Sequence, residues 1–215
     1  MSAEIKFLND VAKPWDELNS FLAERYALQP DISDVTVRAS SIATAIKHQV
    51  DVLAFDRKCR PKKIQSEVNG ESEAARLMSD VSDAAKHVFL DDHRRQNNIF
   101  VAAMFEVNAE GDFRFIRNGV FVEHASLGCQ DFMAASLSAI DYWSKKRGLN
   151  IAWSGSVREA SNKFFPTAFL YFDPRFCIHM STARIMFYRR DDAGNIMLFD
   201  PEVVRFEVRK TSPRG

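Results

Sequence analysis

The spacing of apolar residues changes in kind near residue 98, and that change limits what the chain can fold into. Before it, hydrophobic side chains recur at i, i+3 and i+4; after it they mostly alternate, apart from one helical stretch. Helices, then strands, a single helix and strands again predict an α+β fold: an N-terminal helical region followed by a mostly antiparallel sheet packed on one central helix. The division this implies is a helical region over 1–97 and a sheet-plus-helix region over 98–215, the two forming one compact unit.

Three helices are expected in the first part. One starts near Pro14, which suits a first helical turn, and runs to about Tyr26 with Trp15, Leu18, Phe21 and Leu22 on one face. After Gln29-Pro30-Asp31 a second covers roughly 41–57. The third carries Leu77, Met78, Val81, Ala84 and Val88 behind the acids Glu71 and Glu73. The polar link over 56–70 reads as a loop. Further on, strands at 99–107 and 113–117 flank a hairpin signal at 108–112, and 120–123 extends the meander. Phe132, Met133, Leu137, Ile140 and Trp143 mark the single helix, which Lys145-Lys146-Arg147-Gly148 stops. A long Phe-rich connection then leads to strands at 176–180, 183–190, 196–199 and 203–209.

Composition excludes several functions. The chain has 215 residues with 29 basic and 29 acidic side chains, so it has no net field to attract a polyanion, and no nucleic-acid partner is expected. The basic run Arg57 to Lys63 and the pair Arg94-Arg95 lack interleaved aromatics and read as solvated. No uncharged run of 18 residues and no apolar leader segment appear, so neither a membrane span nor a secretory signal is expected, and a cytoplasmic location follows. The eight glycines form no phosphate-binding fingerprint, and no cofactor or metal is expected. Cys177 and His179, two apart on one strand, lack a third ligand; His87 and Asp91 read as a solvated helix end. Three cysteines, Cys59, Cys129 and Cys177, do not make a disulfide framework.

Among those thiols Cys129 stands out. Ser126-Leu127-Gly128-Cys129-Gln130-Asp131-Phe132 places it at the expected first turn of the single helix, where unpaired N–H groups and the helix dipole favour thiolate. His179 in a strand and Asp200 before Pro201 follow downstream, giving the order Cys, His, Asp. His124 is the alternative base, and Gln96, Asn97 or Asn98 are the candidate oxyanion donors.

Gly128-Cys129-Gln130-Asp131-Phe132, the pair His179-Met180 and Phe199-Asp200-Pro201 resemble the papain-like cysteine enzymes of the transglutaminase-like type, over about residues 126 to 205. The resemblance implies nucleophile Cys129, base His179 and orienter Asp200, acting on a peptide or protein substrate by acyl transfer through a thioester. This sequence departs from the family in the 21 residues from His179 to Asp200, longer than a simple hairpin, and Arg184 competes for the aspartate. The other function class compatible with the 18 phenylalanines is a non-enzymatic α+β binding or structural protein, possible as a homodimer.

Overall fold

Residues 2–87, 90–172 and 184–210 are described by a computed structural model of the chain. The helices are α1 (Ala3–Phe7), α2 (Lys13–Glu24), α3 (Ile32–Lys47), α4 (Gln49–Asp56), α5 (Pro61–Glu71), α6 (Glu73–Ala84) and α7 (Phe132–Lys146); a π-helical turn, Leu8–Ala12, joins α1 to α2. The strands are β1 (Asn97–Val107), β2 (Phe113–His124), β3 (Gly128–Asp131), β4 (Ala168–Phe172), β5 (Arg184–Arg190), β6 (Ile196–Leu198) and β7 (Phe206–Lys210). The architecture is α+β, with a mostly antiparallel five-stranded sheet in the order β3-β2-β1-β5-β6. No helix among the described residues is long and apolar enough to cross a membrane.

Several elements follow directly from local chemistry. Pro14 occupies the first turn of α2, and Trp15, Leu18 and Leu22 of the expected face are fully buried. Ser72 accepts a hydrogen bond from Ala75 N at 3.1 Å and so caps α6. Gly148, at φ 65°, takes the left-handed conformation that ends α7.

Two helical expectations need correction. The link 56–70 contains α5: Pro61 opens the helix, and Ile64 and Val68, one turn apart, are both buried. The helix expected over 41–57 is two helices, α3 and α4, separated at His48; α3 starts earlier, at Ile32, where Asp31 Oδ1 accepts from Ser33 N at 2.9 Å. In the sheet half, 113–117 and 120–123 are one continuous strand, β2, while the Phe-rich connection contains β4. The strand expected over 176–180 lies outside the described residues.

Contacts divide the chain into two units, each assembled from three stretches. The first comprises Met1–Leu18, Val37–Ile99 and Phe121–Val157. Its core joins Leu77, Met78 and Val81 of α6 with Phe132, Met133 and Ile140 of α7, each at most 1% exposed. Full burial of such side chains contributes about 1.5–3 kcal/mol each. Trp15 Nε1 donates to Ser136 Oγ at 2.9 Å, and its ring meets that of Trp153 edge-on, 5.8 Å between centroids.

The second unit comprises Asn19–Thr36, Phe100–Val120 and Arg158–Gly215. Within it β5 pairs in parallel with β1, Ala102 opposite Arg184, and antiparallel with β6, Tyr188 opposite Leu198. The turn at 191–195 is held by Asp191 Oδ1, which accepts from Ala193 N and Asn195 N. A separate two-stranded sheet pairs β4 with β7 in parallel. The core of this unit is built on Phe105, Phe113, Ala103, Val107 and Leu170.

Candidate functional site

The cysteine singled out above is not on the helix. Asp131 Oδ1 accepts from Met133 N at 2.9 Å and Ala134 N at 3.2 Å, so Asp131 is the cap of α7 and takes the amides expected to activate a thiol. Cys129 lies two residues before that cap, on β3, exposed to solvent. It sits opposite Glu123 of β2, whereas His124 is opposite Gly128. Because side chains alternate across a strand, Cys129 shares the exposed face with Glu123 and His124 turns to the other.

His124 is buried, 1% of its side chain exposed, within a chain of polar contacts. Its Nδ1 lies 3.3 Å from both Ser126 N and Ser126 Oγ. Since the backbone N–H donates, Nδ1 accepts, which assigns the ring proton to Nε2, 3.2 Å from Asp80 Oδ2. Asp80 Oδ1 accepts from Arg95 Nε at 2.5 Å; Arg95 Nη2 donates to Asp83 Oδ2 at 2.6 Å; Lys47 Nζ donates to Asp83 Oδ1. Burial alone would raise the Asp83 carboxyl, but the hydrogen bonds from Lys47 and Arg95 outweigh it and hold it below its ordinary value. Asp80 and Asp83, one turn apart on α6, therefore anchor a network that fixes the end of β2. The i, i+3 acid pair is visible in the sequence, but its cations come from distant stretches, and the sequence reading missed it.

Cys129 and His124 line one open cleft together with Gln96, Asn97 and Asn98, the amides expected as oxyanion donors. Two of those amides have other commitments: Gln96 Nε2 lies 3.1 Å from His93 Nδ1, and Asn97 Nδ2 donates to Arg95 O at 3.1 Å. His179 lies outside the described residues. Asp200 belongs to the second unit, where it borders a cavity with Asp112, Arg189 and Arg205. No Cys129–His179–Asp200 set is shown among the described residues.

The second unit also contains an aromatic cavity of about 310 Å³. Its deep wall is Phe105 and Phe113, 1% and 3% exposed. Tyr26 and Tyr171 form a stacked pair beside it, ring centroids 4.4 Å apart and planes 22° from parallel. Phe165 and Phe169 contribute an edge-to-face pair at 5.5 Å. Lys163 and Arg209 are the cations among the lining residues, which include no carboxylate. Asn118 locks the adjoining chain: it is fully buried, its Oδ1 accepts from Leu28 N at 2.9 Å, and its Nδ2 faces Tyr26 O, Arg25 O and Leu22 O at 3.1–3.3 Å. Of these residues the sequence marks out only Phe165 and Phe169, in the Phe-rich connection; Phe105, Phe113, Tyr26 and Asn118 come from other stretches of chain that only folding brings together.

No group of three or more His, Cys, Asp or Glu side chains arranged to hold a metal occurs among the described residues. The chain matches no protein-family model, no curated protein and no solved structure.

Proposed function

We propose that this chain is a binding protein whose second unit takes a small apolar molecule into the aromatic cavity. The observation that carries the reading is the cavity: its volume of about 310 Å³ is in the range of small-molecule sites, and it has ring walls and a few polar groups. Thr167 also lines it, so Thr167→Trp would fill it without removing a core side chain. Calorimetric titration with 2-naphthamide, a neutral two-ring probe, is expected to give saturable binding to the native chain and none to Thr167→Trp. Equal binding to both would refute the site.

A second reading keeps acyl transfer through Cys129, in the manner of a papain-like or transglutaminase-like cysteine peptidase or acyltransferase. It is supported by the exposure of Cys129 in an open cleft with Gln96, Asn97 and Asn98, and by the resemblance over residues 126 to 205. Its test is labelling by a thiol-reactive peptide amide. The reading expects labelling that Cys129→Ala abolishes and Cys59→Ala leaves intact; labelling lost equally in both variants, or slow as a free thiol, defeats it.

A further inference from the structure

We infer that the cavity in the second unit selects a planar aromatic carboxylate over its neutral counterpart, with Lys163 and Arg209 receiving the carboxylate. The inference rests on the binding reading above and specifies its ligand. Two features of the cavity point the same way. The stacked Tyr26–Tyr171 pair and the edge-to-face Phe165–Phe169 pair present ring faces and edges to an occupant, which suits a flat π-system; a volume near the lower limit for ligand sites suits two fused rings better than a long chain.

The second feature is charge. Both charged side chains among the lining residues are cations. Lys163 is exposed and makes no ion pair among the described residues. Arg209 lies with its guanidinium 4.0 Å from the centre of the Phe169 ring and donates Nε–H to Glu207 Oε1 at 2.8 Å. The guanidinium also has a side-chain hydrogen bond with Tyr171, so the fork still has donors to spare among its five, and the bond to Glu207 keeps the group charged. A carboxylate at this mouth meets a point charge and a planar fork, while the ring it carries enters the apolar interior.

The experiment compares 2-naphthoate with 2-naphthamide, which have the same rings and nearly the same shape, by calorimetry at pH 7 and low salt. The expected result is a Kd about tenfold lower for the naphthoate, a preference that shrinks with added salt. In Lys163→Gln, and in Lys163→Gln with Arg209→Gln, naphthoate affinity is expected to fall more than amide affinity, so that the ratio of the two Kd values moves toward one. Equal affinities for the two probes in the native chain would overturn the charge selection and leave the cavity reading standing. A preference that persists in the double variant would overturn the assignment to Lys163 and Arg209. Failure of both probes to bind would overturn the cavity reading and this inference with it.

Discussion

Replacing Asn118 tests how the wall of the aromatic cavity is held. Its amide serves four backbone groups around the turn that follows α2: one donor, Leu28 N, and the carbonyls of Leu22, Arg25 and Tyr26. Leu28 itself has a φ of 61°, a left-handed conformation that costs a non-glycine residue about 1–2 kcal/mol. Asn118→Ala leaves the Leu28 N–H and at least one carbonyl without a partner where Asn118 had no solvent exposure. The Leu28 N–H and the carbonyls of Arg25 and Tyr26 are only partly buried and water can reach them, so the one buried orphan, the Leu22 carbonyl, sets the scale. The expected loss is about 1–3 kcal/mol against the 5–15 kcal/mol typical of a domain. Asn118→Asp sharpens the test, because it keeps the acceptor for Leu28 and sets an oxygen against three carbonyls. It is expected to cost at least as much as alanine at pH 7, although it is nearly isosteric. Urea unfolding followed by circular dichroism, with an unchanged m value, measures both. A loss below about 1 kcal/mol in either variant would show that the amide does not hold this turn.

Two further outcomes follow from the first unit. A Cβ at Gly155 would lie 2.7 Å from Leu137 Cδ1 and from the Trp153 ring, so Gly155→Ala is expected to cost about 1–3 kcal/mol through overpacking, read as a lower urea midpoint; an unchanged midpoint would mean that the segment does not pack there. The Asp83 carboxyl is held below its ordinary value in the folded chain. Its contribution is therefore present above the unfolded carboxylate pKa of about 3.9 and is lost as pH falls through the lower folded value. Asp83→Asn is expected to lower stability at pH 7 and to flatten the acid limb of the stability curve below about pH 4, whereas an acid limb identical to that of the native chain would contradict the network.

The elements with strong local signals were legible in the sequence. The face of α2, the helix α7 with its glycine stop, and the turns at 108–112 and 191–195 depend on residues within a few positions of one another. Helix α5 was missed because its charged composition outweighed the Ile64–Val68 pair, although Pro61 marked its start. Strand β4 was missed because its partner, β7, lies nearly 40 residues downstream and is parallel, a pairing no hairpin signal announces. At the candidate cysteine, placement failed by two residues. Asp131 is the better cap, and the residues before it continue as a strand beside β2, so the thiol faces solvent across from a carboxylate. The His124–Asp80–Arg95–Asp83–Lys47 network joins four stretches of chain, and only folding reveals that they meet.

The parallel pairing of β1 with β5 has a consequence for synthesis of the chain. Residues 100–105, Phe-Val-Ala-Ala-Met-Phe, form an apolar strand whose partner begins at Arg184, about 80 residues later. At a translation rate of 5–20 residues per second, that edge of β1 waits on the order of 4–16 s before β5 emerges from the ribosome. During that interval the nascent chain carries a bare hydrophobic edge of the kind that recruits chaperones or self-associates. Ribosome-bound chains halted before residue 184 should therefore bind a holdase chaperone, and the released, folded chain should not.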